Sequence, residues 1–182
     1  MKMEIIDCLS EMVKKNFGEE KWREILEKSE FNNYRTKFIN GLDIFDEKVM
    51  EIFSKTCEVL NINMEQAADA FGDYWINSYA IRYYKGYYSK YKTAKEFILN
   101  MDNIHVEVTK IIQNAHPPRF ETEKIGNNKI KVKYISKRKM ITFYIGLLKG
   151  IARYFKEKID IQQLSEEAVT IEFLSETEEN NT

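Results

Sequence analysis

The spacing of apolar residues changes at Pro117-Pro118, and this change restricts the fold of the chain more than any other feature. Before the two prolines, apolar residues recur at helical spacing; after them, apolar and polar residues alternate as they do in strands. Consecutive prolines cannot continue a helix, so the helix that begins at the Thr93-x-x-Glu96 capping box must end there. The pattern predicts an α+β fold, with helices first and then a small antiparallel sheet with a further helix.

Helices are expected before the capping box wherever apolar residues form one stripe. The first ends at Gly18, a second begins near Trp22, a third ends near Asn61, and a fourth covers about residues 63–80. The Tyr-rich stretch over residues 83–88 contains a glycine, which predicts irregular structure there. After the prolines, we expect strands at about 120–125, 129–136 and 168–173, and a long helix at about 140–159.

Composition narrows the class of protein. Lys and Arg total 28 while Asp and Glu total 29, and this balance argues against non-specific nucleic-acid binding. Aromatic residues make up 13%, and such bulk needs a large core or a large flat ligand to pack against. Cys8 and Cys57 lie among apolar residues on predicted helices, which favours a reduced chain. We find no signal peptide or long apolar run, so we expect one cytoplasmic domain without membrane contact.

Three hydrogen-bonding side chains follow one another at every second position of the strand near residue 134. Tyr134, Ser136 and Arg138 would share one face of an extended chain. Two hydroxyls and a guanidinium on one face can bind a planar anion with several oxygens, of which a carboxylate is the simplest. The alternative is an exposed strand face that ends in a surface arginine.

His105 lies in the apolar stripe of the helix that precedes the prolines, beside Met101 and Val108. An imidazole there could bind a metal, with Asp102 and Thr109 close enough along the helix to orient it. The alternative is a core histidine whose nitrogens are satisfied locally. Since no other His, Cys or carboxylate has zinc-ligand spacing nearby, a single imidazole with an open opposite face favours haem iron. His116 is expected to be an exposed loop histidine.

The order of these features resembles the haem-nitric oxide/oxygen-binding (H-NOX) family, which is related to the haem domain of soluble guanylate cyclase. The features are His105 on its helix, Pro117-Pro118, a hairpin, Tyr-x-Ser-x-Arg and a long apolar helix. The resemblance covers residues 1–174 and implies haem b (iron protoporphyrin IX) buried between two lobes. A distal helical lobe would cover about residues 1–62 and a proximal mixed lobe about 63–174, with an acidic tail or linker at 175–182.

The resemblance also assigns residues. His105 matches the proximal ligand of the haem iron, Tyr134, Ser136 and Arg138 match the propionate-binding motif, and Pro118 matches the proline that presses on the porphyrin. The positions that match apolar contacts of the haem, including its proximal side, are Ile5, Phe97, Met101 and Leu147. Those that match or lie near the distal pocket are Leu9, Trp75, Tyr79 and Phe143.

Phe143 departs from the pattern of those family members that bind dioxygen, which carry a distal tyrosine at this position. Bound dioxygen gains stability from a hydrogen bond in a dry pocket, whereas nitric oxide binds ferrous iron strongly without one. The resemblance therefore implies a sensor for nitric oxide, and for CO, that excludes dioxygen. Tyr144 is rotated by about 100° round the helix and should point elsewhere.

Signalling is expected to follow release of the single axial ligand. Nitric oxide weakens the bond trans to it, so the bond between iron and His105 would lengthen or break and the lobes would shift. The expected output is a downstream domain or protein: a chemotaxis transducer, a histidine kinase or a cyclic-di-nucleotide enzyme. Three alternatives stay open, namely a haem enzyme (peroxidase or nitric oxide dioxygenase), a dioxygen sensor with Trp75 or a tyrosine as donor, and a haem-free pocket for lipid or dye. The mapped distal positions offer no acid–base residue for peroxidase chemistry, so no catalytic activity is expected.

Overall fold

The computed structural model describes residues 2–29, 31, 46–110 and 117–174, and it has the α+β architecture that the sequence predicts. The helical part comprises α1 (Lys2–Phe17), α2 (Glu19–Lys28), α3 (Asp46–Leu60), α4 (Met64–Tyr74), a π-helical turn (Trp75–Tyr79), α5 (Ala80–Tyr88), α6 (Ala94–Leu99) and α7 (Met101–Thr109). The remainder comprises β1 (Arg119–Lys124), β2 (Lys129–Ile135), α8 (Ile141–Phe155), β3 (Lys158–Ser165) and β4 (Ala168–Leu174). No helix in these ranges is long and apolar enough to cross a membrane.

Local sequence explains where several helices begin and end. Gly18 separates α1 from α2 with a φ of 93°, a conformation that glycine adopts at little cost. Asn63 begins α4 with a reciprocal capping box. Its side-chain oxygen accepts a hydrogen bond from the backbone N–H of Gln66, and the side-chain oxygen of Gln66 accepts one from the backbone N–H of Asn63. Thr93 caps α6 by accepting a hydrogen bond from the backbone N–H of Glu96.

Three sequence expectations about these elements are wrong. The Tyr-rich stretch is helical in α5, with a kink at Tyr84, because one exposed glycine does not prevent a helix whose residues Ala80 and Tyr88 are buried in an apolar cluster. The helix that carries His105 is interrupted at Asn100, whose φ of −102° and ψ of 3° end α6 before α7 begins. The long helix α8 stops at Phe155, since Lys156 turns the chain with a φ of 58°. Ile159 therefore belongs to β3, a strand that the sequence did not predict.

The sheet is antiparallel throughout, with the strand order β1-β2-β4-β3. Alternation along β2 buries Ile130, Val132 and Tyr134 on one face. That face packs against α8 and the helices α6 and α7, so the C-terminal half has its own apolar core.

Buried residues form two clusters. The sheet cluster includes Phe97, Met101, Phe120, Tyr134 and Tyr144. The helical cluster includes Leu9, Phe53, Phe71, Tyr79 and Phe143. Trp75 is partly buried and packs against both clusters, so it lies at their boundary.

Helices α4 and α8 join the two clusters by direct backbone contact. A Cβ atom at Gly146 would overlap the carbonyl of Ala68, and one at Gly72 would overlap the backbone of Gly146. Lys149 binds the Asp69 carboxylate at 2.7 Å and Arg153 binds that of Asp73 at 2.6 Å along the same crossing. The crossing is therefore held by close packing and by two ion pairs.

Candidate functional site

His105 projects from α7 into the sheet cluster, with its ring centroid 5.2 Å from that of Phe120. Burial lowers the pKa of the imidazole, although the neighbouring Pro118 carbonyl and the Asp102 carboxylate oppose that shift. Its Nδ1 is buried and makes no hydrogen bond within the described part of the chain. One of the two ring nitrogens is therefore not satisfied locally, contrary to what the alternative of a core histidine would require.

The two residues expected to orient the imidazole have other partners. Asp102 accepts two hydrogen bonds from the Arg119 guanidinium, at 2.7 and 2.6 Å, and a third from the Phe120 amide at 2.9 Å. Thr109 donates its hydroxyl to the backbone carbonyl of His105 at 2.7 Å. Asp102 therefore ties α7 to the start of β1, and this fixes the backbone of His105 relative to half-buried Pro118.

The motif Tyr134, Ser136 and Arg138 crosses the end of β2. Tyr134 belongs to the strand and is buried, whereas Ser136 and Arg138 follow in a turn and are half-buried. The Arg138 amide donates to the Ser136 hydroxyl oxygen at 3.2 Å, and Lys139 then adopts a φ of 50°. The expectation that all three share one strand face is therefore wrong, since the extended conformation ends at Ile135.

Phe143 faces the helical cluster from α8. Its ring lies 4.4 Å from that of Phe53 and 6.2 Å from that of Phe71, centroid to centroid. Leu9 is fully buried in the same cluster, and Ile5 packs on its edge. The side chains that surround Phe143 in this way carry no hydroxyl or amide.

Two polar aromatic residues border this apolar region. Trp75 and Tyr79 stack at 5.4 Å because the π-helical turn spaces them along one side. Such turns occur often at functional sites, although nothing in the local sequence predicted this one. Burial raises the pKa of Tyr79 to about 12, with the Asp7 carboxylate as the next contribution.

Neighbouring positions of α8 face different clusters. Tyr144 packs in the sheet cluster, as its rotation of about 100° from Phe143 predicts. Met101 and Leu147 pack in the sheet cluster as well, while Ile5, Leu9, Tyr79 and Phe143 belong to or pack on the helical cluster. The residues that the sequence assigned to one cofactor therefore lie on both sides of the cluster boundary. His116 and the tail at 175–182 lie outside the described residues.

The site can be tested for its fit to a haem group from these contacts. A haem needs one imidazole in a dry environment, apolar side chains on its faces and cationic or hydroxyl groups for its carboxylates. A buried imidazole nitrogen without a hydrogen bond is costly unless the ring has another partner, and iron would be one. Within the described ranges, no group of three His, Cys, Asp or Glu residues is placed to hold a metal ion. The residues present fit a haem.

Comparison with known sequences supports this assignment. The sequence model of the family described as Haem-NO-binding matches residues 4–163. Two curated relatives from Caenorhabditis elegans, soluble guanylate cyclases gcy-32 and gcy-34, are each 22% identical over 153 residues. These matches cover 82% of this chain but only 22% of either cyclase. The chain therefore spans a small part of the length of these relatives.

Solved structures share the fold. An H-NOX protein from S. oneidensis in its Fe(II)NO ligation state has a TM-score of 0.79 and 22% identity, over 96% of this chain and 100% of that one. An oxygen-binding H-NOX domain related to soluble guanylate cyclases, in its oxygen complex, has a TM-score of 0.75 and 24% identity over the full length of both chains. Such identities establish the fold alone. The family match over most of the chain goes further: the protein belongs to the Haem-NO-binding family and is a haem-binding gas-sensor domain related to soluble guanylate cyclase.

Proposed function

We propose that this domain senses nitric oxide, and also CO, at a ferrous haem b while it excludes dioxygen. The observation that carries this proposal is Phe143, which presents a ring without a donor among Phe53, Phe71 and Leu9. A bound haem would supply a ferrous iron able to bind a diatomic gas.

The chain would hold the haem with groups from both clusters. His105 would bind the iron, and Tyr134, Ser136 and Arg138 would bind the propionates. Pro118 would press on the porphyrin, and the apolar contacts would come from Ile5, Met101 and Leu147. We propose that the cluster boundary, where Trp75 lies, is the boundary between the distal lobe (about 1–62) and the proximal lobe (about 63–174). The helical cluster also includes Ala68, Phe71 and Phe143, so α4 and α8 would serve both lobes.

Exclusion of dioxygen would follow from the missing donor. Dioxygen bound to a ferrous haem would carry partial negative charge, and a hydrogen bond to that charge would be strong in a dry pocket. Nitric oxide needs less of this stabilisation. A pocket wall built from phenylalanine and leucine therefore lowers the affinity for one gas more than for the other.

Release of His105 would be passed on through the contacts of α7. The Asp102–Arg119 pair joins this helix to β1, so a displaced His105 would pull on the sheet. The α4–α8 crossing would resist bending and keep the helical cluster in place. The expected result is a shift of the two lobes, read by a downstream domain or protein such as a chemotaxis transducer, histidine kinase or cyclic-di-nucleotide enzyme.

Substitution of Phe143 tests the selectivity. Ferrous Phe143→Tyr should form a dioxygen complex in air, with dioxygen affinity raised at least ~10-fold by one new hydrogen bond to a charged acceptor. Phe155→Tyr is the matched control, because it adds the same hydroxyl at the far end of the same helix. Absorption spectra under air report both variants. Equal dioxygen affinity in Phe143→Tyr and in the unmodified protein would show that a hydroxyl at residue 143 does not select the gas.

Release of the histidine has its own test. The nitric oxide complex of the ferrous protein should contain a five-coordinate population, recognisable by absorption and electron paramagnetic resonance. A complex that stays six-coordinate at all temperatures would contradict release of His105 while leaving the gas selectivity intact.

A dioxygen sensor is the second candidate, and one observation favours it. The stacked pair Trp75 and Tyr79 brings an indole N–H and a phenol to the edge of the helical cluster. If either served as donor, the unmodified protein would bind dioxygen, and Trp75→Phe or Tyr79→Phe would abolish that binding. Consumption of peroxide or of nitric oxide in the presence of dioxygen would instead indicate a haem enzyme.

A further inference from the structure

Two buried side-chain polar atoms within the described residues make no hydrogen bond: Nδ1 of His105 and the hydroxyl of Tyr144. Tyr144 is 2% exposed, and burial raises the pKa of its phenol, with Tyr134 as a second contribution. Unsatisfied buried groups are rare because each forfeits its hydrogen bonds to water without compensation. Two such groups in one cluster therefore need a common explanation.

The side chains that carry these two atoms both contact the ring of Phe120. The centroid of Phe120 is 5.2 Å from that of His105 and 5.0 Å from that of Tyr144. Tyr144 in turn stacks on Tyr134 at 5.3 Å with an interplanar angle of 14°. Phe120 therefore contacts both the candidate iron ligand and the unpaired phenol, and a direct contact between those two would require its ring to move.

Tyr144 cannot act on the gas side as Phe143 does. It packs in the sheet cluster with Met101, Phe120 and Tyr134, whereas Phe143 packs in the helical cluster. Its hydroxyl is therefore available to the side of the site that carries His105.

We propose that Tyr144 forms a hydrogen bond with the His105 imidazole when that ring leaves the iron. This inference rests on the proposed release of His105 and adds the group that holds the released state. The phenol O–H donates to the unprotonated nitrogen of the neutral imidazole, and Phe120 turns aside to let them meet. Tyr144 is a positioning residue, because it acts on His105 and touches neither gas nor iron in this role.

The energetic reason is the cost of leaving polar groups unpaired. Release would leave the imidazole nitrogen that had bound the iron without a partner and away from water, and the Tyr144 hydroxyl already lacks a partner in the resting arrangement. One new hydrogen bond removes both deficits, so it favours the released state and leaves the resting state unchanged. The two arrangements of Phe120 would then correspond to two states of the site, one before and one after His105 meets Tyr144.

Tyr144→Phe separates this role from a structural one. The substitution removes only a hydroxyl that is unpaired at rest, so the ferrous protein without nitric oxide should melt at the same temperature or higher. In the nitric oxide complex, the ratio of five-coordinate to six-coordinate haem should fall ~5-fold, as expected for one lost hydrogen bond. Tyr88→Phe is the matched control, since Tyr88 is a buried tyrosine of the same cluster that packs on Phe97 and Tyr154 instead. It should leave the ratio unchanged.

The outcomes are distinguishable. An unmodified protein without any five-coordinate population would overturn the proposed release and, with it, this inference. If His105 is released to the same extent in the unmodified protein and in Tyr144→Phe, the role of Tyr144 is overturned but the proposed release is not. A lower melting temperature for Tyr144→Phe without nitric oxide would show that the hydroxyl is paired at rest, and would overturn it too. Phe120→Leu gives a second measurement, since a smaller side chain should ease the contact and raise the five-coordinate fraction; a fall would count against the role of Phe120.

Discussion

At the scale of single residues, the orientation of α7 depends on a carboxylate that does not touch the candidate ligand. Asp102 binds Arg119 through both of its oxygens and also accepts from the Phe120 amide. These contacts hold the pKa of Asp102 below its usual value, with the Arg119 hydrogen bond as the largest contribution. The side chain is about a quarter exposed, so solvent weakens the pair without cancelling it.

Asp102→Asn should destabilise the protein by about 1 kcal/mol at pH 7. A carboxyl whose pKa is lowered by folding stabilises the fold above its unfolded pKa of about 3.9, and this contribution disappears as pH falls through the folded value. The difference between the two proteins should therefore shrink below pH ~4. Urea unfolding at pH 7 and at pH 3 measures it. Glu166→Gln is the control, since its pair with Lys139 is exposed and 3.6 Å long; equal stability of Asp102→Asn and the unmodified protein at pH 7 would contradict this account.

The sequence predicted the placement of individual residues better than it predicted the contacts around them. Placement of Phe143 and Tyr144 in different clusters follows from helical geometry alone, and the structure confirms it. The unpaired atoms of His105 and Tyr144 could not be predicted, because pairing depends on which residues from distant parts of the chain pack around them, such as Phe120 of β1. The turn at Ser136 was missed for a related reason: period-2 spacing continues across a strand end without any local signal.

At the scale of elements, the crossing of α4 and α8 depends on glycines that face backbone. A methyl group at Gly146 would overlap the Ala68 carbonyl, and backbone cannot move aside as a flexible side chain can. Gly86 differs, because a Cβ there meets nothing within 4 Å and the residue lies in helix α5. Replacement of Gly146 and of Gly86 by alanine, one at a time, therefore gives a matched comparison.

Gly146→Ala should cost ~3 kcal/mol or more in unfolding free energy, since the two helices must separate. Gly86→Ala should be neutral or stabilise by up to ~1 kcal/mol, because alanine is the better helix former. Chemical denaturation of both variants supplies the comparison. A Gly146→Ala protein as stable as Gly86→Ala would mean that the helices do not touch through their backbones.

Helices and strands were predicted where the local sequence carries a signal, and they were missed where tertiary contacts determine the secondary structure. The Thr93 cap and the glycine at residue 18 mark real helix ends. Strand β3 carries Ile159 and Ile161 at alternate positions, but its other residues are polar apart from exposed Leu164, so its pairing with β4 rather than its own sequence makes it a strand. The π-helical turn at Trp75–Tyr79 has no recognised sequence signal either.

At the scale of the whole molecule, the residues assigned to the haem come from two apolar clusters that α4 and α8 hold together. The assignment came from the order of motifs along the chain, because spatial proximity cannot be read from residues 5, 105 and 143 separately. The structure supplies what that order omits: the position of Trp75 between the clusters, and the contacts of Phe143 with the rings of Phe53 and Phe71.

We propose that this haem domain distinguishes nitric oxide from dioxygen because it lacks a distal hydrogen-bond donor. The most direct measurement is the absorption spectrum of the unmodified ferrous protein, first equilibrated with air and then with nitric oxide. The account predicts an unchanged ferrous spectrum in air on the time scale of mixing, and a complete shift with stoichiometric nitric oxide. A stable dioxygen complex of the unmodified protein would contradict it.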